Sequence, residues 1–306
     1  MKRLSIISDH FPLNHPIKLK ETERYLFFRL LSGIFLWLVF LGETKAQNPD
    51  VPYVPTSEPV VQKMLDIANV GPGDYLIDLG SGDGRVVIEA AKRGAFGQGV
   101  EINPRLVADA NENAIRKGVQ DKVIFVEGNI FDTDISRADV VTMYLFNSVN
   151  MILRPQLLKM LKPGSRVVSH RFNMNAWKPD KQIKGDAYNV YLWIIPANLE
   201  GNWTWKLKEK KFTMDVVQQF QEISLNIFLN DVPLKVENCY LTGNKIWFAA
   251  IDTINAIKYV HCGSIGGDSI KGTVQLHIEN NNSVMNWTAT CSKVKLNTDK
   301  QLLLSR

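Results

Sequence analysis

From Tyr75 to Arg85 the chain reads YLIDLGSGDGR, an apolar run that ends in glycines at 80, 82 and 84 and feeds straight into RVVIEAAK. This junction constrains the fold more than any other feature. The apolar run predicts a strand covered on both faces, and RVVIEAAK a helix closed by Gly94. The glycines between them let the backbone turn tightly and come close to a ligand at the carboxyl edge of the strand. The same rhythm continues on both sides. Val60, Val61, Met64, Leu65 and Ala68 share one face of a helix that Thr56 or Ser57 can cap, after a proline-rich stretch at 48–55. Phe96–Ile102, Val123–Glu127, Ala138–Phe146 and Arg166–Phe172 read as further strands. Asn103 and Pro104 open a helix as N-cap and first residue, with its stop at Gly118, and Pro155–Leu161 reads as another, stopped by Pro163-Gly164. Apolar strands alternating with helices predict an α/β domain built on a parallel sheet.

After Phe172 the rhythm changes. Trp177-Lys-Pro-Asp reads as a loop and Tyr188–Ile195 as a strand, with no long helix between them. Beyond Gly201 short strands alternate with turn residues: Trp203–Leu207, Phe212–Phe220, Ile223–Leu229, Tyr240–Leu241, Lys245–Ile251, Gly272–Glu279 and Met285–Thr290. That pattern predicts a second, small and mostly antiparallel β domain. The expected division is 1–46 leader, 47–200 α/β domain and 201–306 β-rich domain. Trp203–Leu207 is a candidate to complete the sheet of the first domain.

The chemistry concentrates where the strands end. The dinucleotide fingerprint GxGxxG would need glycine at 85, where arginine stands, and no Walker lysine is present. Glu101 follows the glycine loop by about one strand–turn repeat and ends the second strand, where a carboxylate accepts both hydroxyls of a ribose. Asn129 and Ile130, after the third strand, sit where a side chain reaches an adenine edge, although an asparagine there also serves a turn.

Together these residues resemble the class I, seven-strand S-adenosylmethionine (SAM) dependent methyltransferases, and DLGSGDGR at Asp78–Arg85 is similar to their first motif. Pro52-Tyr-Val-Pro-Thr56, Arg166-Val-Val-Ser-His-Arg-Phe172 and Trp177-x-Pro179 narrow the resemblance to one subgroup. Its members are the protein-lysine methyltransferases of the ATP synthase c subunit and the adenine nucleotide translocase, with small archaeal and bacterial relatives. The resemblance covers about Pro52 to Asp180. It implies that Asp78, Gly80 and Gly82 surround the methionine part of SAM and that Glu101 holds the ribose. It further implies that Asn129 and Ile130 flank the adenine and that Thr56 lies near the SAM carboxylate. Tyr144 and Leu145 would face the transferable methyl. Asn129 departs from the aspartate common in the family, and the leader and β domain are additions to the small enzymes.

The implied function is N-methyl transfer, with a protein lysine as acceptor. The alternatives are a small-molecule or lipid-headgroup acceptor, or an exported binding module built on the SAM fold. A lysine acceptor must shed a proton from an amine of pKa about 10.4, which an apolar aromatic slot assists. Tyr144, Phe146 and Trp177 are candidates to line such a slot, with Tyr144 and Trp177 the catalytic candidates. His170 reads as structural.

Composition sets the remaining bounds. At 45% hydrophobic and 22% charged the chain is globular, and a net charge of +5 spread along it implies no nucleic-acid footprint. The three cysteines, Cys239, Cys262 and Cys291, form no metal or redox motif, and with His261 and His277 they make no metal-ligand spacing. At the N-terminus Lys18, Lys20, Arg24 and Arg29 precede the apolar run 30–42 and then Ala46. This reads as a secretory signal peptide cleaved after Ala46, giving a secreted or periplasmic protein. A membrane anchor through 30–42 is the alternative, and membrane association is expected only through this segment.

Overall fold

The computed structural model describes residues 53–185, 188–278 and 281–292. The leader expected at 1–46, with its cleavage point, lies outside them. Among the described residues no helix is long and apolar enough to cross a membrane.

The first part of the fold is a seven-stranded sheet in the order β3-β2-β1-β4-β5-β7-β6. Its strands are β1 (Tyr75–Leu79), β2 (Phe96–Glu101), β3 (Val123–Glu127), β4 (Val140–Met143), β5 (Arg166–His170), β6 (Lys181–Lys184) and β7 (Asn189–Ile194). The first five run parallel, whereas β7 is antiparallel to both its neighbours, β5 and β6. Four helices cover the sheet: α1 (Glu58–Ile67), α2 (Arg85–Lys92), α3 (Pro104–Arg116) and α4 (Asn147–Met160). Strand residues alternate between two cores, as the pleat requires. Leu76, Val140 and Val168 pack with the apolar stripes of α1, α2 and α3. Ile77, Val141 and Val167 pack on the other side with Val149, Leu153 and Leu157 of α4. Each such side chain stabilises the fold by about 1.5–3 kcal/mol on full burial.

Two expectations need correction. The strand beside β7 is Lys181–Lys184, while Trp203–Leu207 belongs to the second part of the fold. The helix expected from Pro155 begins at Asn147 and carries Pro155 inside it. Its burial of Val149, Leu153 and Leu157 against the sheet outweighs the lost backbone hydrogen bond.

From Gly201 onward eight strands form a closed antiparallel barrel, each paired to the next and the last to the first. They are β8 (Gly201–Leu207), β9 (Lys210–Gln219), β10 (Glu222–Leu229), β11 (Val232–Thr242), β12 (Lys245–Asp252), β13 (Ile257–Gly266), β14 (Ser269–Ile278) and β15 (Asn281–Ser292). Closure removes the exposed edges that an open sheet must protect. The inward positions are filled: Trp203, Trp205 and Leu207 on β8, Phe212, Met214 and Val216 on β9, and Phe248, Tyr259 and Trp287 beyond. Strand β13 was not expected, and β11 is far longer than Tyr240–Leu241. The three cysteines are free thiols.

The barrel leans on the sheet domain at two turns. Ala197 N–H donates to the Gly243 carbonyl at 2.8 Å. Phe220, at the tip of the β9–β10 hairpin, packs against the α4-side core.

Candidate active site

A cleft opens at the carboxyl ends of β1, β2 and β4. The glycine loop is its floor. Gly80 and Ser81 N–H groups both donate to the Val100 carbonyl, at 2.9 and 3.0 Å, so β2 holds the loop where β1 ends. Gly82 has φ +53° and lies against the Tyr53 ring, leaving no room for a Cβ. Gly84 caps α2 at φ +80°, where a Cβ would stand 2.6 Å from Phe125. Neither conformation nor spacing suits another residue.

Two carboxylates face this loop. Glu101 is buried, and its Oε2 accepts from Gly82 N–H at 3.0 Å while Oε1 accepts from Asn103 N–H at 3.0 Å. Asp78 is buried and accepts from the Thr142 hydroxyl at 2.6 Å. Burial pushes its pKa up to about 7, helped by the charges of Glu101 and Asp83 and opposed by the Thr142 hydrogen bond. Ser81 Oγ is buried in the same cleft without a hydrogen-bond partner. Unspent polar groups of this kind call for a polar ligand.

The segment before α1 closes the other wall. Arg85 Nη1 donates to the Thr56 carbonyl at 2.8 Å, and its other nitrogens grip Asp83 at 2.9 and 2.6 Å. Burial raises the Asp83 pKa, but the Arg85 hydrogen bonds and charge outweigh it and hold the carboxyl below its ordinary value. Thr56 Oγ1 lies 3.1 Å from His170 Nδ1. His170 is pushed down to about 4 by burial and by the Arg171 charge, so it is neutral near pH 7.

Thr56, Asp78, Gly80, Glu101, Asn129, Ile130, Tyr144 and Leu145 all line the cleft, and Gly82 is tied to it through Glu101. Asn129 also serves the turn: its Oδ1 accepts from Phe131 N–H at 3.0 Å and caps the short 3-10 turn Ile130–Asp132. Its amide N–H groups remain for a ligand. Trp177 is placed elsewhere. It is fully buried against Trp193 and Phe220, outside the residues that line the cleft, because its ring fills the junction with the barrel. Tyr53, Asp83 and Arg85 were not singled out from the sequence as ligand-facing. The Pro52–Thr56 stretch and the arginine at 85 were the only signals available.

A mostly parallel sheet in this strand order, with β7 antiparallel, a glycine loop after β1 and an acidic residue ending β2, defines a class I SAM-dependent methyltransferase. Residues 78–181 match the ANTKMT methyltransferase domain. The Protein-lysine N-methyltransferase of Saccharolobus islandicus is 48% identical over 153 residues, which are 48% of this chain and 95% of that protein. The chain belongs to this family. The adenine nucleotide translocase lysine N-methyltransferase of Mus musculus is 36% identical over 153 residues, 49% of this chain and 66% of that one. A solved RNA methyltransferase from Salinibacter ruber, in complex with S-adenosyl-L-homocysteine, is similar at 52% identity, with a TM-score of 0.47. It covers 48% of this chain and 96% of its own.

The enzyme's cofactor is SAM, and the cleft fits it. Carboxylates at Asp78 and Glu101, the unpartnered Ser81 hydroxyl and the closely approachable glycine loop offer acceptors and donors for an ammonium, ribose hydroxyls and a carboxylate.

Proposed function

We propose that this chain transfers a methyl group from SAM to the side-chain amine of lysine in a protein. The observation that carries this reading is an aromatic mouth where β4 and β5 end, beside the cleft. The Tyr144 ring centroid lies 4.0 Å from that of His170 and 6.2 Å from that of Phe172, and Phe146 meets Phe172 edge-on at 5.5 Å. Phe146 is 40% exposed, so the mouth opens to solvent. The names of the relatives, lysine methyltransferases in archaeon and mouse, agree with such a mouth.

In this reading Asp78, Gly80 and Gly82 surround the methionine part of the cofactor, Glu101 binds the ribose, and Asn129 and Ile130 flank the adenine. Thr56 lies near the carboxylate. SAM, when bound, supplies a methyl made electrophilic by its sulfonium. The chain's part is to present a neutral amine in line with that methyl. Aromatic faces attract the incoming ammonium, and the same apolar walls lower its pKa so that its proton leaves to solvent before transfer. Neutral His170 adds no repelling charge beside the ammonium. Held by Asp78, Gly80, Gly82 and Glu101, SAM would supply the methyl that the amine lone pair takes up, its sulfur keeping the C–S electron pair.

The test is incubation of the full chain with methyl-tritiated SAM and a whole-cell extract. Label recovered as methyl-lysine after acid hydrolysis of the protein fraction supports the reading. Label confined to the nucleic-acid, lipid or small-molecule fraction overturns it.

A further inference from the structure

The β-barrel lies outside residues 78–181, which match the methyltransferase domain. In the archaeal relative, 153 matched residues are 95% of the protein, which leaves no room for eight further strands. Its interior is packed with rings, so its outer contacts are where a role has to be sought.

Those contacts converge on one loop. The segment 171–180, between β5 and β6, carries Phe172 of the aromatic mouth at one end and Trp177 at the other. Trp177 Nε1 donates to Gln221 Oε1 at 2.8 Å, and Gln221 Nε2 donates to the Lys178 carbonyl at 2.7 Å. Lys178 pairs with Glu222 at 2.7 Å, and the Phe220 ring stacks on Trp177 with centroids 5.7 Å apart. Three consecutive residues at the tip of one barrel hairpin thus grip two consecutive residues of the loop. The loop runs back to the mouth through bonds of its own. Arg154 of α4 lies over the Phe220 ring and donates to the Met174 carbonyl at 3.2 Å. Asn150 and Ser169 donate to the Phe172 carbonyl, at 3.2 and 2.7 Å.

Phe220 has φ +55°, the conformation its two-residue turn requires, since Gln219 and Glu222 form the closing pair of the β9–β10 hairpin. The turn is held from both sides: the Phe220 ring stacks on Trp177, and Gln218 donates to the Phe220 carbonyl at 2.7 Å.

We propose that the β9–β10 hairpin of the barrel is a clamp on the loop after β5, with Phe220 and Gln221 as positioning residues for the acceptor side of the active site. This rests on reading Tyr144, Phe146 and Phe172 as the acceptor mouth. The glycine loop and Glu101 touch no barrel residue in this network, so the clamp acts on the acceptor and leaves the cofactor alone.

The experiment compares the full chain with its Phe220→Ala and Gln221→Leu variants. Hydrogen exchange is followed in segment 171–177 and in the glycine loop 80–85, with SAM affinity by calorimetry and KM by methyl transfer to poly-L-lysine. Loss of the two Gln221 side-chain hydrogen bonds, or of the Phe220 ring stacked on Trp177, predicts exchange faster by roughly tenfold in 171–177, with 80–85 unchanged. KM for poly-L-lysine rises about five- to tenfold while SAM affinity stays within about twofold. Unchanged exchange in 171–177 in both variants overturns the clamp. So does a loosened loop with unchanged KM, or a parallel loss of SAM affinity, which marks a general structural defect. If the parent chain itself transfers nothing to poly-L-lysine, the lysine reading fails alone, and the exchange measurement still decides the clamp.

Discussion

Glu101 joins two elements with one carboxylate: Oε2 accepts the Gly82 N–H and Oε1 the Asn103 N–H, each at 3.0 Å. The same group therefore sets the glycine loop and the first turn of α3. Each oxygen keeps a second lone pair, which is what a ribose diol needs. Replacing Glu101 by alanine removes two charge-assisted acceptors, each worth about 1.5–3 kcal/mol. SAM affinity measured by calorimetric titration is expected to fall by at least tenfold, with Glu101→Gln in between. An alanine variant that binds SAM as the parent does would remove Glu101 from the site.

Asp78 predicts a pH dependence. Its folded pKa of about 7 lies above the ordinary 3.8, so the folded state holds a proton that the unfolded chain has already released. Stability from this group is therefore full below pH 3.8 and declines as pH rises toward 7. Ligand binding runs the other way, because the ionised carboxylate attracts the methionine ammonium. SAM affinity is expected to rise from pH 6 to pH 8, by roughly tenfold at most. Asp78→Asn keeps an acceptor for Thr142, and in it this rise should vanish while thermal stability at pH 8 increases. A variant with the parent's pH profile would assign the titration to another group.

The parts of this site that were legible in the sequence are those fixed by residues close together in the chain. The glycine loop, the acid ending β2 and the Asn103–Pro104 helix start all carry their geometry locally, and Asn103 Oδ1 does accept from Arg105 N–H. What the sequence hid depends on distant partners or on broken patterns. Lys181–Lys184 pairs only with β7 at the sheet edge, so it is polar and gives no apolar signal. Strand β13 turns His261 inward between Tyr259 and Gly263, which breaks the alternation that marks a strand. Trp177 looked like a slot residue because its partners, Phe220 and Gln221, lie more than forty residues away.

We propose that residues 1–46 form a signal-type leader removed after Ala46, from the basic residues, apolar run and small residue found there. Mass spectrometry of the protein purified from its own cells is expected to find Gln47 as the first residue. A mature chain that keeps the run 30–42 and sediments with membranes would instead establish an anchor.

His261 gives the sharpest stability test because it is buried with no ordinary hydrogen-bond partner at either ring nitrogen. It stacks on Phe248 at 4.5 Å and meets Trp287 edge-on at 4.8 Å inside the barrel. Burial pushes its pKa down to about 3, so it stays neutral in the fold while the unfolded histidine takes up a proton below 6.5. The group therefore costs stability as pH falls from 6.5 toward 3, and the contribution is restored only above that window. Phenylalanine in its place presents a similar ring to the same neighbours and has no orphaned nitrogens. Each unsatisfied polar atom costs about 1–3 kcal/mol, so two of them outweigh the about 1–3 kcal/mol of any overpacking from the larger ring. At pH 5 the proton linkage is added on the histidine side alone. Thermal unfolding of His261→Phe is thus expected at a midpoint at or above the parent's at pH 7, with the gap widened by several degrees at pH 5. His170, pushed down to about 4 in the other domain, keeps part of the acid sensitivity in both proteins. Equal losses on acidification in parent and variant would show that His261 takes up no proton in that window and that the barrel core tolerates it for another reason.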